Sequence, residues 1–168
     1  MMDLEKYLQK CIKTDSNSCS NLHIFNTHRA YTFLGKYQFQ VYGLNDFKLD
    51  EVFNNFHKAG LYCFTTEGCF VDVSLRNEAY FKTGRVHNLF YIGKTDDFSK
   101  RNFDNHQHLT NFKAIDLDIN KKFVGIYVCA EDENPKDIES EILSAYNFED
   151  NVSENSDNAN YPKYIQEF

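Results

Sequence analysis

Hydrophobic residues in this chain recur at helical spacing in some stretches and alternate with polar residues in others. Over residues 3–13 the apolar positions repeat at the spacing of one helix face, which predicts an amphipathic helix. The stretch 29–44 is rich in aromatic and β-branched residues interrupted by glycine, which is typical of one or two strands. Residues 49–56 return to a spacing of three and four and predict a second, short helix.

The middle of the chain predicts the core sheet. Residues 61–64, 89–92 and 123–129 are short runs of β-favouring residues bounded by glycine or polar positions. The connection between the first two runs, 65–88, is long enough to carry a strand of its own and an exposed loop.

Two helices are predicted beside these strands. Asp97 is a suitable N-cap for a helix near 98–109. Asn134 followed by Pro135 predicts the start of a helix over about 136–146.

The mixture of predicted helices and strands indicates an α/β protein of the α+β type. We expect residues 1–58 to form an extension of helix and strand that packs on the core of the protein. Residues 59–152 form the core itself, and residues 153–168 form a polar tail whose last apolar residues dock back onto it.

Composition narrows the class of protein. The 168 residues are 42% hydrophobic and include 16 Phe and 11 Tyr, so they predict one domain with a Phe-rich core. The chain has no apolar run of membrane-spanning length, and its first ten residues lack the hydrophobic centre of a signal peptide. We therefore expect a cytoplasmic protein that does not bind membranes.

The five cysteines are odd in number and contain no CxxC pair, which favours free thiols over a disulfide framework. A zinc set drawn from the N-terminal region matches no common ligand spacing. Its members would be Cys11, Cys19, His23 and His28.

The net charge of −7 is unevenly distributed along the chain. Residues 82–122 carry eight Lys or Arg against five Asp or Glu, whereas residues 123–168 carry two against eleven. This distribution fits either a local phosphate-binding face on an acidic body or an uneven scatter of solvated charge.

The segment LFYIGKTDDFSKR, residues 89–101, is where the sequence is informative about chemistry. It predicts a strand, a turn at Gly93 and a helix start. This order places the Tyr91 phenol and the cations Lys94, Lys100 and Arg101 near backbone N–H groups that favour an anion.

This segment contains the motif Tyr91-Ile92-Gly93 (YIG). Together with Gly60-Leu61-Tyr62, which begins 31 positions before Tyr91, it resembles the GIY-YIG endonucleases. The arginine expected on the first helix is matched by Arg101, ten positions after Tyr91. Glu139, followed after two residues by an apolar pair, and Asn151, twelve positions further on, match the later motifs.

A second glycine, aliphatic, tyrosine tripeptide, Gly125-Ile126-Tyr127, is not followed by a YIG motif. Motif order therefore assigns it to the third strand of the sheet rather than to the first motif.

The resemblance implies a small three-stranded antiparallel sheet flanked by helices, in which 61–64 and 89–92 pair as a hairpin. It also implies a metal-dependent endonuclease that hydrolyses phosphodiester bonds in DNA, in a phage, mobile-element or restriction-like setting. It assigns Mg²⁺ (or Mn²⁺) to Glu139, which suits a largely hydrated ion. Arg101 then clamps the scissile phosphate, and Tyr62, helped by Tyr91 and Lys94, orients or deprotonates the attacking water. The supporting residues implied are Lys94, Lys100, His106 and Asn151.

Three alternatives remain open at this point. The resemblance predicts a histidine one turn after Arg101, but position 105 is Asn105, so either His106 or His108 stands in for that histidine. Glu141 is a rival metal ligand beside Glu139. A nucleic-acid-binding or protein-interaction module that has lost catalysis is the alternative function, which the acidic balance and the displaced histidine favour.

Overall fold

The structure is a computed structural model that describes residues 30–46, 48–74, 81–155 and 161–167. The helix predicted over 3–13 lies outside the described residues. The residues considered for zinc also lie outside the described residues: Cys11, Cys19, His23 and His28. The same holds for residues 156–160 and 168 of the polar tail.

Within the described ranges, six antiparallel strands form one sheet that closes on itself into a barrel. In chain order they are β1 (Ala30–Phe33), β2 (Tyr37–Gly43), β3 (Gly60–Ser74), β4 (Phe81–Thr95), β5 (Lys122–Val128) and β6 (Tyr164–Glu167). Around the barrel the order is β1-β2-β5-β3-β4-β6, and β6 pairs with β1 to close it.

Three α-helices accompany the described strands: α1 (Leu49–Phe53), α2 (Gln107–Ala114) and α3 (Pro135–Ala145). The Asn134 side chain accepts a hydrogen bond from the Lys136 N–H at 2.9 Å, and Pro135 occupies the first turn. The predicted start of this last helix is therefore confirmed.

The predicted fold class, a three-stranded sheet flanked by helices, is wrong. The three predicted core strands exist as the neighbours β5, β3 and β4, but their outer edges are not free. Strand β2 pairs with β5, β6 pairs with β4, and β1 joins the two. Unpaired edge N–H and C=O groups need partners, and segments from both ends of the chain supply them here.

The helix predicted near 98–109 is also wrong. Asp97 does cap a turn, since its side chain accepts from the Ser99 N–H, but that turn is a short 3-10 helix, Phe98–Lys100. An irregular stretch follows, and α2 begins only at Gln107. Asn and Asp side chains compete for backbone hydrogen bonds and favour turns, and they interrupt the helix here at positions 102, 104 and 105.

The sheet buries side chains on both faces. We call the cluster inside the barrel the inner cluster; it includes Tyr31, Phe33, Phe39, Leu61, Cys63, Leu89, Ile92, Ile138, Ile142 and Ile165. The outer cluster lies between the barrel wall and the segments around α1 and α2. It includes Tyr62, Phe64, Phe90, Phe98, Phe103, Leu109 and Phe112.

The C-terminal tail docks on the barrel, as predicted. Strand β6 pairs with β1 and β4, and Ile165 is buried in the inner cluster. The tail therefore contributes to closing the sheet.

Candidate active site

Regular pairing of β3 with β4 places the two motif tyrosines on one face, because Tyr62 pairs with Gly93 and Phe64 with Tyr91, and a β-bulge on β4 follows directly. Phe64 pairs with Tyr91 but Thr65 pairs with Leu89, so Phe90 is the extra residue. Both Phe90 and Tyr91 consequently contact the outer cluster, and Tyr91 lies beside Tyr62, with 6.2 Å between ring centroids. Bulges often reorient a side chain next to a functional site.

Gly93 makes room for this arrangement. A Cβ atom at this position would lie 2.6 Å from the Tyr62 hydroxyl oxygen and 2.9 Å from a Tyr91 ring carbon. The third residue of the YIG motif is therefore glycine because two tyrosine rings pass over its backbone.

The Tyr62 hydroxyl binds His106. Its oxygen lies 2.7 Å from His106 Nε2, and His106 Nδ1 accepts a hydrogen bond from the Leu109 N–H at 3.3 Å. Because Nδ1 is an acceptor, the proton of the neutral ring belongs on Nε2, which donates to Tyr62. Burial, with Arg101 and His108 nearby, lowers the pKa of His106 to about 4, so the neutral ring persists at neutral pH.

Arg101 lies against the Tyr62 ring, with its guanidinium carbon 5.5 Å from the ring centroid. No carboxylate lies within ion-pair distance of Arg101 among the described residues, and its Nε is buried without a hydrogen-bond partner there. Burial raises the pKa of Tyr62 and of Tyr91, and the Arg101 charge opposes that shift in both phenols. A buried donor without an acceptor is costly, so Arg101 is positioned for an anionic ligand.

An open cleft of about 390 Å³ lies beside Arg101. The described residues that line it carry basic, amide and imidazole side chains and no carboxylate. They are Lys100, Arg101, Asn102, Asn105, His106, Gln107 and His108. Such a lining favours a phosphate over a cation.

Glu139 reaches the site from a different direction. Its helix, α3, packs Ile138 and Ile142 into the inner cluster, on the opposite face of the sheet from Tyr91. The carboxylate lies near the C-terminal end of β4, where Oε2 accepts from Lys94 Nζ at 2.5 Å. Lys94 pairs with Leu61 of the inner cluster, so this ion pair lies on the inner side of the sheet, whereas Tyr91 lies on the outer side. The Glu139 charge contributes to raising the pKa of Tyr91, after the larger effect of burial, so the two groups are within electrostatic range.

The Glu139 carboxylate is the one metal ligand that the described residues offer beside Lys94, which suits only a largely hydrated metal ion. Within the described ranges no group of three His, Cys, Asp or Glu side chains is close enough to hold a metal. Lys94 occupies one carboxylate oxygen of Glu139, and the other has no partner there. A single available oxygen fits Mg²⁺, which keeps most of its waters.

Two further candidates have structural contacts. Glu141, the rival ligand, binds Lys36 Nζ and accepts from the Tyr37 hydroxyl, which joins α3 to the turn after β1. Asn151 is buried, and its side-chain amide both donates to the Ile92 carbonyl and accepts from the Ile92 N–H, each at 2.9 Å. Asn151 therefore fixes the strand that carries Tyr91.

The structure thus groups the predicted site residues in two sets. Tyr62 contacts Tyr91, His106 and Arg101, and Lys100 lines the cleft beside Arg101. Glu139 and Lys94 form a separate ion pair on the inner side of the sheet.

Asp150 is a further site residue that no sequence motif predicts. Its Oδ2 lies 2.8 Å from Nδ1 of His108, and the His108 ring stacks on Tyr91 with centroids 3.9 Å apart. His108 was considered from the sequence only as a substitute for the expected histidine. His108 and Asp150 are 42 positions apart and share no motif, and only the fold brings them together.

In the part of the chain that the structure describes, no helix is long and apolar enough to span a bilayer. Comparison of the chain with protein-family models, with curated proteins and with solved structures found no match.

Proposed function

We propose that this chain is a metal-dependent endonuclease that hydrolyses phosphodiester bonds in DNA. The observation that supports this most is Arg101, a guanidinium without a carboxylate partner in the described chain, in a cleft lined by basic and amide groups. The phosphodiester is an anion of suitable geometry for such a group. The GIY-YIG resemblance of the surrounding residues supplies the reaction class.

Arg101 and Lys100 bind the scissile and neighbouring phosphates in this proposal. Arg101 is held against Tyr62, which is in turn held by His106, so the guanidinium loses little freedom when the phosphate arrives. Positive charge fixed beside the phosphorus stabilises the transition state more than the ground state, because negative charge accumulates there as water adds.

Glu139 would hold the metal ion through its available oxygen, and Lys94 fixes the carboxylate near the end of β4. A Mg²⁺ ion bound there would supply Lewis-acid stabilisation of the charge that develops on the phosphate. The region of the cleft has only a small excess of positive charge, and the rest of the chain is acidic. We therefore predict weak, salt-sensitive binding of non-specific DNA, because few phosphates are neutralised.

A binding module without catalysis is the second candidate. The ion pair between Lys94 and Glu139 favours it, because an ammonium group already neutralises the carboxylate that would hold the metal. Phosphate binding by Arg101 would persist in such a module.

Glu139→Gln distinguishes the two functions, with Glu141→Gln as the matched control on the same helix. For the endonuclease, Glu139→Gln lowers the Mg²⁺-dependent plasmid nicking rate by on the order of a thousandfold. DNA affinity in a gel shift stays the same or increases, because one negative charge is removed from a phosphate site. Glu141→Gln leaves the rate unchanged, because Glu141 binds Lys36 and Tyr37 instead.

Nicking that survives in Glu139→Gln and disappears in Glu141→Gln means that the metal ligand is misassigned. A wild-type chain that shifts DNA but does not nick it with Mg²⁺ or Mn²⁺ is the binding module.

A further inference from the structure

The attacking water needs a group that takes its proton, and the buried members of the site are poorly placed to do so. Tyr62 is fully buried, its oxygen accepts from His106, and burial raises the pKa of its phenol. His106 has neither nitrogen free, because Nδ1 accepts from Leu109 and Nε2 donates to Tyr62. A general base must reach the water and offer a lone pair at neutral pH.

His108 meets these conditions. It lines the cleft together with Arg101, and its side chain is 37% exposed. Its Nδ1 lies 2.8 Å from Asp150 Oδ2, an acceptor, so the neutral ring carries its proton on Nδ1. Nε2 then keeps its lone pair, and it has no partner among the described residues.

Asp150 is itself held in place. Its backbone N–H donates to the Phe90 carbonyl at 2.7 Å, and Asn111 Nδ2 donates to its Oδ2 at 3.3 Å. The His108 ring is fixed from its other side by stacking on Tyr91. A histidine oriented by a carboxylate and an aromatic face, beside an arginine without a carboxylate partner, has the geometry of an acid–base group.

We propose that His108, oriented by Asp150, is the general base that takes a proton from the water attacking the phosphodiester, a role that rests on the endonuclease activity proposed above. The water oxygen forms the new P–O bond while its proton moves to His108 Nε2. The P–O bond to one sugar oxygen breaks, and that oxygen leaves with the electron pair and takes a proton from solvent. The imidazolium, stabilised by Asp150, then returns its proton to solvent.

Several charged or titratable groups face His108. Asp150 stabilises the imidazolium, whereas Arg101 and Lys100 in the same cleft disfavour it. Tyr91 and His106 also contact the ring, with His106 at 5.6 Å between centroids. Both are neutral near pH 7, because burial raises the pKa of Tyr91 and lowers that of His106.

His57 provides a matched control. It is also a histidine whose Nδ1 lies near an aspartate, 3.3 Å from Asp97 Oδ2, but it is highly exposed and lies outside the cleft lining. His108→Gln is expected to slow Mg²⁺-dependent nicking by on the order of 10²–10⁴-fold with unchanged DNA affinity. His57→Gln is expected to change neither.

The pH profile gives a second readout. Wild-type nicking falls when acidification protonates His108 Nε2, and His108→Gln removes this dependence. Asp150→Asn keeps an acceptor for Nδ1–H but removes the charge, so it shifts the fall in rate to lower pH and reduces the rate less than His108→Gln does. If His108→Gln does not fold, the shift in Asp150→Asn decides.

Substrates with a bridging sulfur at the leaving position separate a base from an acid, because a thiolate leaves without a proton. With His108 as the base, the defect of His108→Gln persists on both the 3′- and the 5′-bridging substrates. Recovery on either one overturns the assignment. Equal rates and equal pH profiles for wild type and His108→Gln overturn only the role of His108, whereas absence of nicking by the wild-type chain overturns the endonuclease as well.

Discussion

The barrel contains two glycine, aliphatic, tyrosine segments side by side: Gly60-Leu61-Tyr62 on β3 and Gly125-Ile126-Tyr127 on β5. They run antiparallel and are hydrogen-bonded neighbours, with Tyr62 paired to Ile126 and Leu61 to Tyr127. The two tripeptides differ only in their aliphatic residue. The structure places the two tyrosines in different chemical surroundings.

Tyr62 lies in the outer cluster against Arg101 and His106. Tyr127 packs on the inner cluster, and its hydroxyl donates to both carboxylate oxygens of Glu133 at 2.9 Å. Burial raises the pKa of both phenols, but Glu133 raises that of Tyr127 further, whereas Arg101 opposes the rise at Tyr62. The tripeptide therefore specifies a strand position, and the charge opposite the hydroxyl distinguishes the candidate site from a structural contact.

The largest expected effect concerns the glycines, in which the two segments should behave alike. A Cβ at Gly60 would lie 2.1 Å from the Tyr127 carbonyl oxygen, and one at Gly125 would lie 1.9 Å from the Tyr31 hydroxyl. Each Gly→Ala variant should lose about 3 kcal/mol of stability in urea denaturation, because the clash is with packed atoms. Gly35→Ala is no control, because Gly35 has a positive φ. A neutral result for either variant would contradict the described packing.

The tyrosines should separate the segments. Tyr62→Phe leaves the His106 Nε2–H buried without an acceptor, which should cost about 1–3 kcal/mol and lower the nicking rate. Tyr127→Phe removes a hydrogen bond to a carboxylate that still binds the Ala130 N–H, so it should cost about 1 kcal/mol or less and leave nicking unchanged. Equal nicking rates in the two variants would remove the functional distinction between the segments.

A smaller effect should follow from the protonation of His106. Its pKa is lowered from 6.5 to about 4 in the folded protein, so the unfolded chain binds more protons between these values. The stability that the neutral ring contributes is present above about pH 6.5 and is lost as the pH falls toward about 4. Urea denaturation at several pH values should show a steeper loss for wild type than for His106→Gln. Parallel curves would mean that His106 is not the buried neutral group described.

The sequence predicted strands where strands occur, because local β propensity at 61–64, 89–92 and 123–129 agrees with the final structure. It did not predict closure of the sheet, because pairing of β6 with β1 depends on segments more than a hundred residues apart. The sequence predicts an α-helix at the short turn Phe98–Lys100 because Asp97 caps this turn as it would cap a longer helix.

The candidate site was predictable to the extent that it follows short motifs. Tyr62, Tyr91 and Arg101 were named from spacing, and the structure brings them together. The contact of His106 with Tyr62 depends on the irregular stretch before α2, and that of His108 with Asp150 depends on long-range packing. Neither contact leaves a periodic signal in the sequence.

The most direct test of the account is the Mg²⁺-dependent nicking rate of Arg101→Ala. Lys113→Ala, which removes one positive charge from the exposed end of α2, is the control for net charge. Because Arg101 is the fixed cation of the cleft, its loss should lower the rate by on the order of 10²–10³-fold and weaken DNA binding, while Lys113→Ala should leave the rate unchanged. Wild-type nicking that Arg101→Ala does not alter, or no wild-type nicking with Mg²⁺ or Mn²⁺, would contradict the claim that this face cleaves phosphodiesters.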